Sequence, residues 1–119
     1  MNASTPLHGL RVVELASTFS GALAAHFFAD NGAEVIVVEP PRGSAVRELP
    51  AHPVLNRGKK SVVLDVHDEA DRAQLRALLS QADVFVESMR PGVAMRRCSS
   101  SAATTGWNST PSTCTLPTH

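Results

Sequence analysis

The sequence predicts an α/β fold: a Rossmann-like parallel sheet fragment of two β-α-β units, followed by a disordered tail. Three observations carry this expectation. Short β-branched runs alternate with longer Ala- and Leu-rich segments, the connections between them are mostly short, and the hydrophobic periodicity stops after Met95. Strands and helices that alternate in this way build a parallel sheet covered by helices. The 119 residues leave room for one domain of modest size.

The first strand is placed at Leu10 to Leu15, a nearly continuous apolar run with Glu14 inside it. Such a run suits a parallel strand buried on both faces. Ser17 to Gly21 turns the chain, and Ala22 to Asn31 is a helix by propensity. Gly32 stands where a left-handed residue closes a helix. Val35 to Val38 is β-branched and stops at Pro40-Pro41, which cannot continue a central strand. Arg42 to Val54, with Gly, Ser and prolines, reads as loop. Ser61 to Asp65 forms a third strand, Asp68 caps a second helix, and Leu75, Leu78, Leu79 and Ala82 repeat at helical spacing with Arg72 and Arg76 on the wet side. Val84 to Glu87 is the fourth strand, and Arg90-Pro91-Gly92 turns away from it. Beyond Arg96 there is no acidic residue and no apolar stripe; Ser and Thr supply 11 of the 23 residues from Arg97 to His119, and both cysteines, Cys98 and Cys114, lie there with Trp107. That composition predicts disorder and free thiols.

Composition also excludes function classes. Eleven basic residues balance eleven acidic ones, so no bulk charge draws the chain to nucleic acid. No apolar run is long enough to span a membrane, and the N-terminus lacks a secretory pattern, so a cytoplasmic location is expected. The histidines His8, His26, His52, His67 and His119 have no metal-ligand spacing, and no metal is expected.

Three stretches are able to carry chemistry, each with a plain alternative. The turn Ser17-Thr18-Phe19-Ser20 lacks the glycines of a dinucleotide fingerprint. Its amides either hold a phosphate at the helix N-terminus or are simply capped by Ser20. Glu39, ending the second strand, sits where such folds bind a ribose hydroxyl, or it is a solvated acid. Asn56, Arg57, Lys59 and Lys60 form a cationic turn that either binds phosphates or is a solvated loop. No catalytic nucleophile can be nominated.

Four blocks add a resemblance. Pro6-Leu7-x-Gly9-Leu10-Arg11-Val12-Val13-Glu14-Leu15, Ala29-Asp30-x-Gly32-Ala33-Glu34-Val35-Ile36-x-Val38-Glu39-Pro40-Pro41, Asn56-Arg57-Gly58-Lys59-Lys60-Ser61-Val62-x-Leu64-Asp65 and Ala82-Asp83-Val84-x-Val86-Glu87-Ser88-x-Arg90-Pro91-Gly92 follow one another at the spacing of the family III CoA-transferases. Residues 6–96 resemble the N-terminal part of that family, with 97–119 outside it. The resemblance implies a Rossmann-like large domain, acyl-CoA or CoA as the partner, and interlocked homodimers in the parent family, which this shorter chain is not expected to form. It implies a coenzyme A site made of Ser17, Thr18, Phe19, Ser20, Asn56, Arg57, Lys59, Lys60, Ser88, Met89, Arg90 and Arg96. Many members carry a cation directly after the glutamate of the second strand. Here Pro40 and Pro41 intervene, and Arg42 is the substitute.

The family performs CoA transfer through a downstream aspartate, or racemisation through a His and Asp pair. None of Asp30, Asp65, Asp68, Asp71 or Asp83 matches that aspartate. The expected function is therefore that of a truncated CoA-transferase that binds CoA and is inactive alone. The alternatives are part of an α-methylacyl-CoA racemase or a non-catalytic CoA- or nucleotide-binding module. An out-of-frame reading of the coding sequence after Arg96 would explain the tail.

Overall fold

A computed structural model of the chain describes residues 5–89, together with the backbone of 108–110 and 113–115. Strands β1 (Arg11–Leu15), β2 (Glu34–Glu39), β3 (Lys60–Val63) and β4 (Val84–Glu87) alternate with helices α1 (Phe19–Asp30), α2 (His52–Leu55) and α3 (Glu69–Ser80). These four strands are parallel in the order β3-β2-β1-β4. The central strand β1 pairs with β2 on one side and β4 on the other, so Val13 lies level with both Ile36 and Phe85.

Alternation along the strands separates two cores. Val12, Val35, Val84 and Val86 face α1, where Ala25 closes the contact. Val13, Leu15, Val38 and Phe85 face the other way and pack against Leu75 and Leu79 of α3. Helices therefore cover both faces, which is why β1 reads as a continuous apolar run rather than an alternating one.

The two long helices, α1 and α3, each start on a side-chain cap. Asp68 accepts the N–H of Asp71 at 3.1 Å, with Glu69 and Asp71 in the first turn of α3 where the helix dipole favours acids. Thr18, not Ser20, caps α1: its Oγ1 accepts the Gly21 N–H at 3.3 Å, so the helix begins at Phe19 instead of Ala22. At the other end, the N–H of Gly32 donates to the Ala29 carbonyl and that of Ala33 to the Phe28 carbonyl, both at 3.1 Å. This is a Schellman closure, and Gly32 takes the φ of 99° that it requires.

The stretch 42–54 differs from the expected loop. Ser44 caps a 3-10 turn over Ala45–Glu48 through the Val46 N–H at 3.2 Å. Val46 then drops into a small apolar cluster with Ala22 and Leu55, which ties this segment and α2 to α1. Polar turn residues hide one buried valine, so the local composition reads as loop while its packing is fixed.

In the tail, β5 (Asn108–Thr110) and β6 (Thr113–Thr115) form an antiparallel hairpin, and β6 extends the sheet beside β4. The sequence reading places no element there. For the remainder of 97–119, the expected disorder falls outside the described residues.

Candidate functional site

In a parallel sheet, ligands bind beyond the carboxyl ends of the strands. A cavity of about 850 Å³ lies at that edge. Its walls come from Leu15 to Ser17 after β1, Pro40 to Ala45 with Glu48 after β2, Leu64 to His67 after β3, and Met89 after β4. The size suits a nucleotide-sized ligand. Its lining combines an apolar floor of Leu15, Val38 and Leu64 with the charges of Arg42, Glu48 and Asp65.

The mouth is fixed by hydrogen bonds between loops. The Ser17 N–H donates to Ser88 Oγ at 2.9 Å, joining the ends of β1 and β4. The Met89 N–H donates to Glu87 Oε2 at 2.7 Å. Asp65 Oδ1 accepts the His67 N–H at 2.9 Å, and Asp71 Oδ2 accepts the Asp65 N–H at 2.8 Å. Gly21 is packed hard against this turn: a Cβ there would sit 2.6 Å from the Ala16 Cβ and 3.4 Å from that of Ser88.

Of the residues nominated from sequence, Ser17, Arg42 and Met89 line the cavity, and Ser88 holds Ser17 in place. Thr18 and Ser20 bond each other at 3.2 Å on the first turn of α1, and Phe19 beside them is half exposed. Arg90 and Arg96 lie outside the described residues. The cationic turn is not brought to the cavity. Arg57 is exposed and pairs with Asp30 at 3.0 Å, Lys60 is exposed and pairs with Glu34 at 2.8 Å, and Asn56 closes α2.

Lys59 is the outlier in this turn. Its ammonium is buried under α1, 2.8 Å from Glu14 Oε2 and 2.9 Å from the Ala22 carbonyl. Burial pushes the Glu14 carboxyl above its ordinary range, the Lys59 hydrogen bond and charge pull it down, and the neighbouring Glu39 adds a small upward push. Glu39 is buried as well, and it meets the Arg47 guanidinium at 2.6 Å rather than the cavity. At the far sheet edge, Lys60 and Arg11 hold Glu34 below the usual carboxylate range.

Leu64, Asp65, Val66 and His67 line the cavity without having been singled out by residue type. The signal that finds them is positional: they directly follow β3 at the same sheet edge as Ser17 and Pro40. Among the described residues no group of three potential metal ligands gathers, and no helix is long and apolar enough to cross a membrane.

The model of CoA-transferase family III matches residues 7–105. Over 102 residues the chain is 42% identical to the Mycobacterium tuberculosis protein named "Probable fatty acyl-CoA transferase Rv3272", an alignment covering 76% of this chain and 26% of that protein. It is 38% identical over 97 residues to the succinyl-CoA--D-citramalate CoA-transferase of Chloroflexus aurantiacus, covering 73% of this chain and 24% of the relative. Crystal structures agree. An orthorhombic form of Rv3272 superposes with a TM-score of 0.71 at 41% identity, over 78% of this chain and 26% of that one. A CaiB/BaiF family protein from Brucella suis gives 0.72 at 34% identity, over 79% and 28%. The chain thus spans about a quarter of the length of these relatives. With strand order, helix placement and sequence blocks in agreement, the chain belongs to CoA-transferase family III.

Proposed function

We propose that this chain supplies the coenzyme A-binding part of an acyl-CoA:carboxylate CoA-transferase, and that the cavity at the carboxyl ends of β1 to β3 receives the nucleotide end of CoA. The observation that carries the reading is the exchange of roles after β2. In dinucleotide-binding sheets an acid at that point bonds unmodified ribose hydroxyls, whereas an arginine nearby accepts a phosphorylated ribose. Here the acid, Glu39, is consumed by Arg47, while Arg42 lines the cavity. CoA carries a 3′-phosphate on its ribose, and Arg42 is its partner. Ser17 and Met89 then pack the adenine side, with Arg90 and Arg96 as further cations for the pyrophosphate.

The chemical step lies elsewhere. Every aspartate of the chain already serves the fold: Asp30 pairs with Arg57, Asp65 accepts the His67 N–H, Asp68 caps α3, Asp71 accepts the Asp65 N–H, and Asp83 accepts the Arg11 N–H at 2.9 Å. None of the five matches the downstream aspartate that the family resemblance implies as the nucleophile. The chain by itself binds CoA and does not transfer it.

Calorimetric titration of the full chain with CoA tests this. Saturable binding is expected, weakened about tenfold by Arg42→Ala, the size of one charge-assisted hydrogen bond. An acyl-CoA mixed with a free carboxylate acceptor should give no exchange. Absence of binding up to millimolar CoA overturns the reading, as does transfer by the chain alone.

A further inference from the structure

The wall of the cavity that carries Arg42 is a closed loop with a side-chain clasp. Glu39 is the last residue of β2 and Arg47 lies within the 3-10 turn, and their side chains meet at 2.6 Å. Every residue from Pro40 to Ala45 between them lines the cavity. The one exception is Val46, which points inward and is buried beside Ala22 and Leu55. Inside the clasp, the Gly43 N–H closes a tight turn on the Pro40 carbonyl at 2.8 Å, and the Arg47 N–H bonds the Ser44 carbonyl at 3.0 Å. Two consecutive prolines stiffen the outgoing arm, and Gly43 takes a φ of 85° that suits glycine alone.

We infer that Arg47 is a positioning residue for ligand binding: by clasping Glu39 it shuts the 40–46 loop and fixes where Arg42 presents its guanidinium in the cavity. Arg47 itself does not line the cavity, so its effect on a ligand passes through the loop. The clasp has the asymmetry such a device needs. Glu39 is anchored in the sheet with 6% of its side chain exposed, while Arg47 is half exposed and approaches from the loop side of the pair. Without the clasp, the restraints left on the loop are the two prolines, Val46 and the turn hydrogen bonds. The consequence for phosphate recognition rests on the CoA reading above, and the closure of the loop does not.

The test has two arms. In the first, calorimetry compares CoA with 3′-dephospho-CoA on the full chain and on Arg42→Ala, Arg47→Ala and Arg47→Lys. Arg42→Ala abolishes the preference for the phosphorylated ligand. Arg47→Ala is expected to lose about tenfold in CoA affinity with little change for dephospho-CoA, and Arg47→Lys to recover part of it. In the second arm, trypsin is expected to cut after Arg42 about tenfold faster in Arg47→Ala than in the parent, with cleavage after the other remaining basic residues unchanged.

Should Arg47→Ala fail to fold because Glu39 is left as a buried unpaired charge, the Glu39→Gln/Arg47→Gln pair replaces it, with the same expected outcomes. An undiminished CoA preference together with parental cleavage at Arg42 overturns the inference. A parent chain indifferent to the 3′-phosphate overturns the CoA reading instead, and cleavage at Arg42 still decides the clasp.

Discussion

Lys59 Nζ lies 2.8 Å from Glu14 Oε2, and the two side chains are only 1% and 2% exposed. A strand in the middle of the sheet and the turn before β3 are joined by a charge pair from which water is excluded. A second hydrogen bond, from Lys59 to the Ala22 carbonyl, brings α1 into the same junction.

Removing one partner of such a pair strands the other. Lys59→Met is expected to cost about 3–5 kcal/mol, read as a lower urea midpoint, whereas Glu14→Leu combined with Lys59→Met recovers most of the loss. If the single variant unfolds at the parental midpoint, Glu14 has another source of compensation.

The same substitution sets a pH dependence. The folded Glu14 carboxyl titrates above its ordinary value of 4.5, chiefly through burial. A folded chain that binds a proton more tightly than the unfolded one has that contribution in full below 4.5 and loses it as pH rises through the raised value. Lys59→Met removes the effects that hold the shift down. The stability gap between parent and variant should therefore be widest near neutrality and narrow on acidification toward the ordinary carboxylate range. Denaturation at several pH values measures it, and a gap independent of pH would contradict the assignment.

At the start of α1, Gly21→Ala sets a methyl against Ala16 at 2.6 Å. Overpacking of this kind costs about 1–3 kcal/mol. Adding Ala16→Gly makes room, and most of the loss should return in the double variant, as thermal unfolding will show. Equal midpoints for single and double variants would mean the helix start shifts freely.

For α3, Leu75→Ala opens a hole under a residue that is 0% exposed, and about 2–5 kcal/mol is the expected loss. Asp68→Ala, at the cap of the same helix, should cost only about 1 kcal/mol. The order of the two midpoints in one denaturation series decides whether packing or capping dominates this helix.

Much of the fold could be read from the residues because the local and global signals agree. Val84 to Glu87 is a strand in both readings, Asp68 caps where its spacing to the apolar stripe requires, and Gly32 closes α1 with the backbone that its lack of Cβ permits. The site was less legible. Arg57, Lys59 and Lys60 look alike as a run of charge, yet each finds a different acid, on α1, β1 and β2, through contacts 27, 45 and 26 residues apart. Nothing in the local sequence announces such partners. Glu14 did carry a warning, since a carboxylate inside an apolar strand must find a cation. Arg47 carried none: its importance comes from Glu39 facing it across a turn whose residues were all read as loop.

The position of β1 bears on how the molecule is made. Its partner β2 follows within a short stretch of chain, but its other partner, β4, pairs Val84 with Val12 and so arrives much later in synthesis. Until then the growing chain displays one unpaired flank of a strand destined for burial, and the Ser17 amide waits for Ser88, 71 residues away. Long-range parallel pairing is slow to close. The seam between β1 and β4 is thus both the last of the parallel seams to form and a place where a nascent chain is open to a chaperone or to another strand.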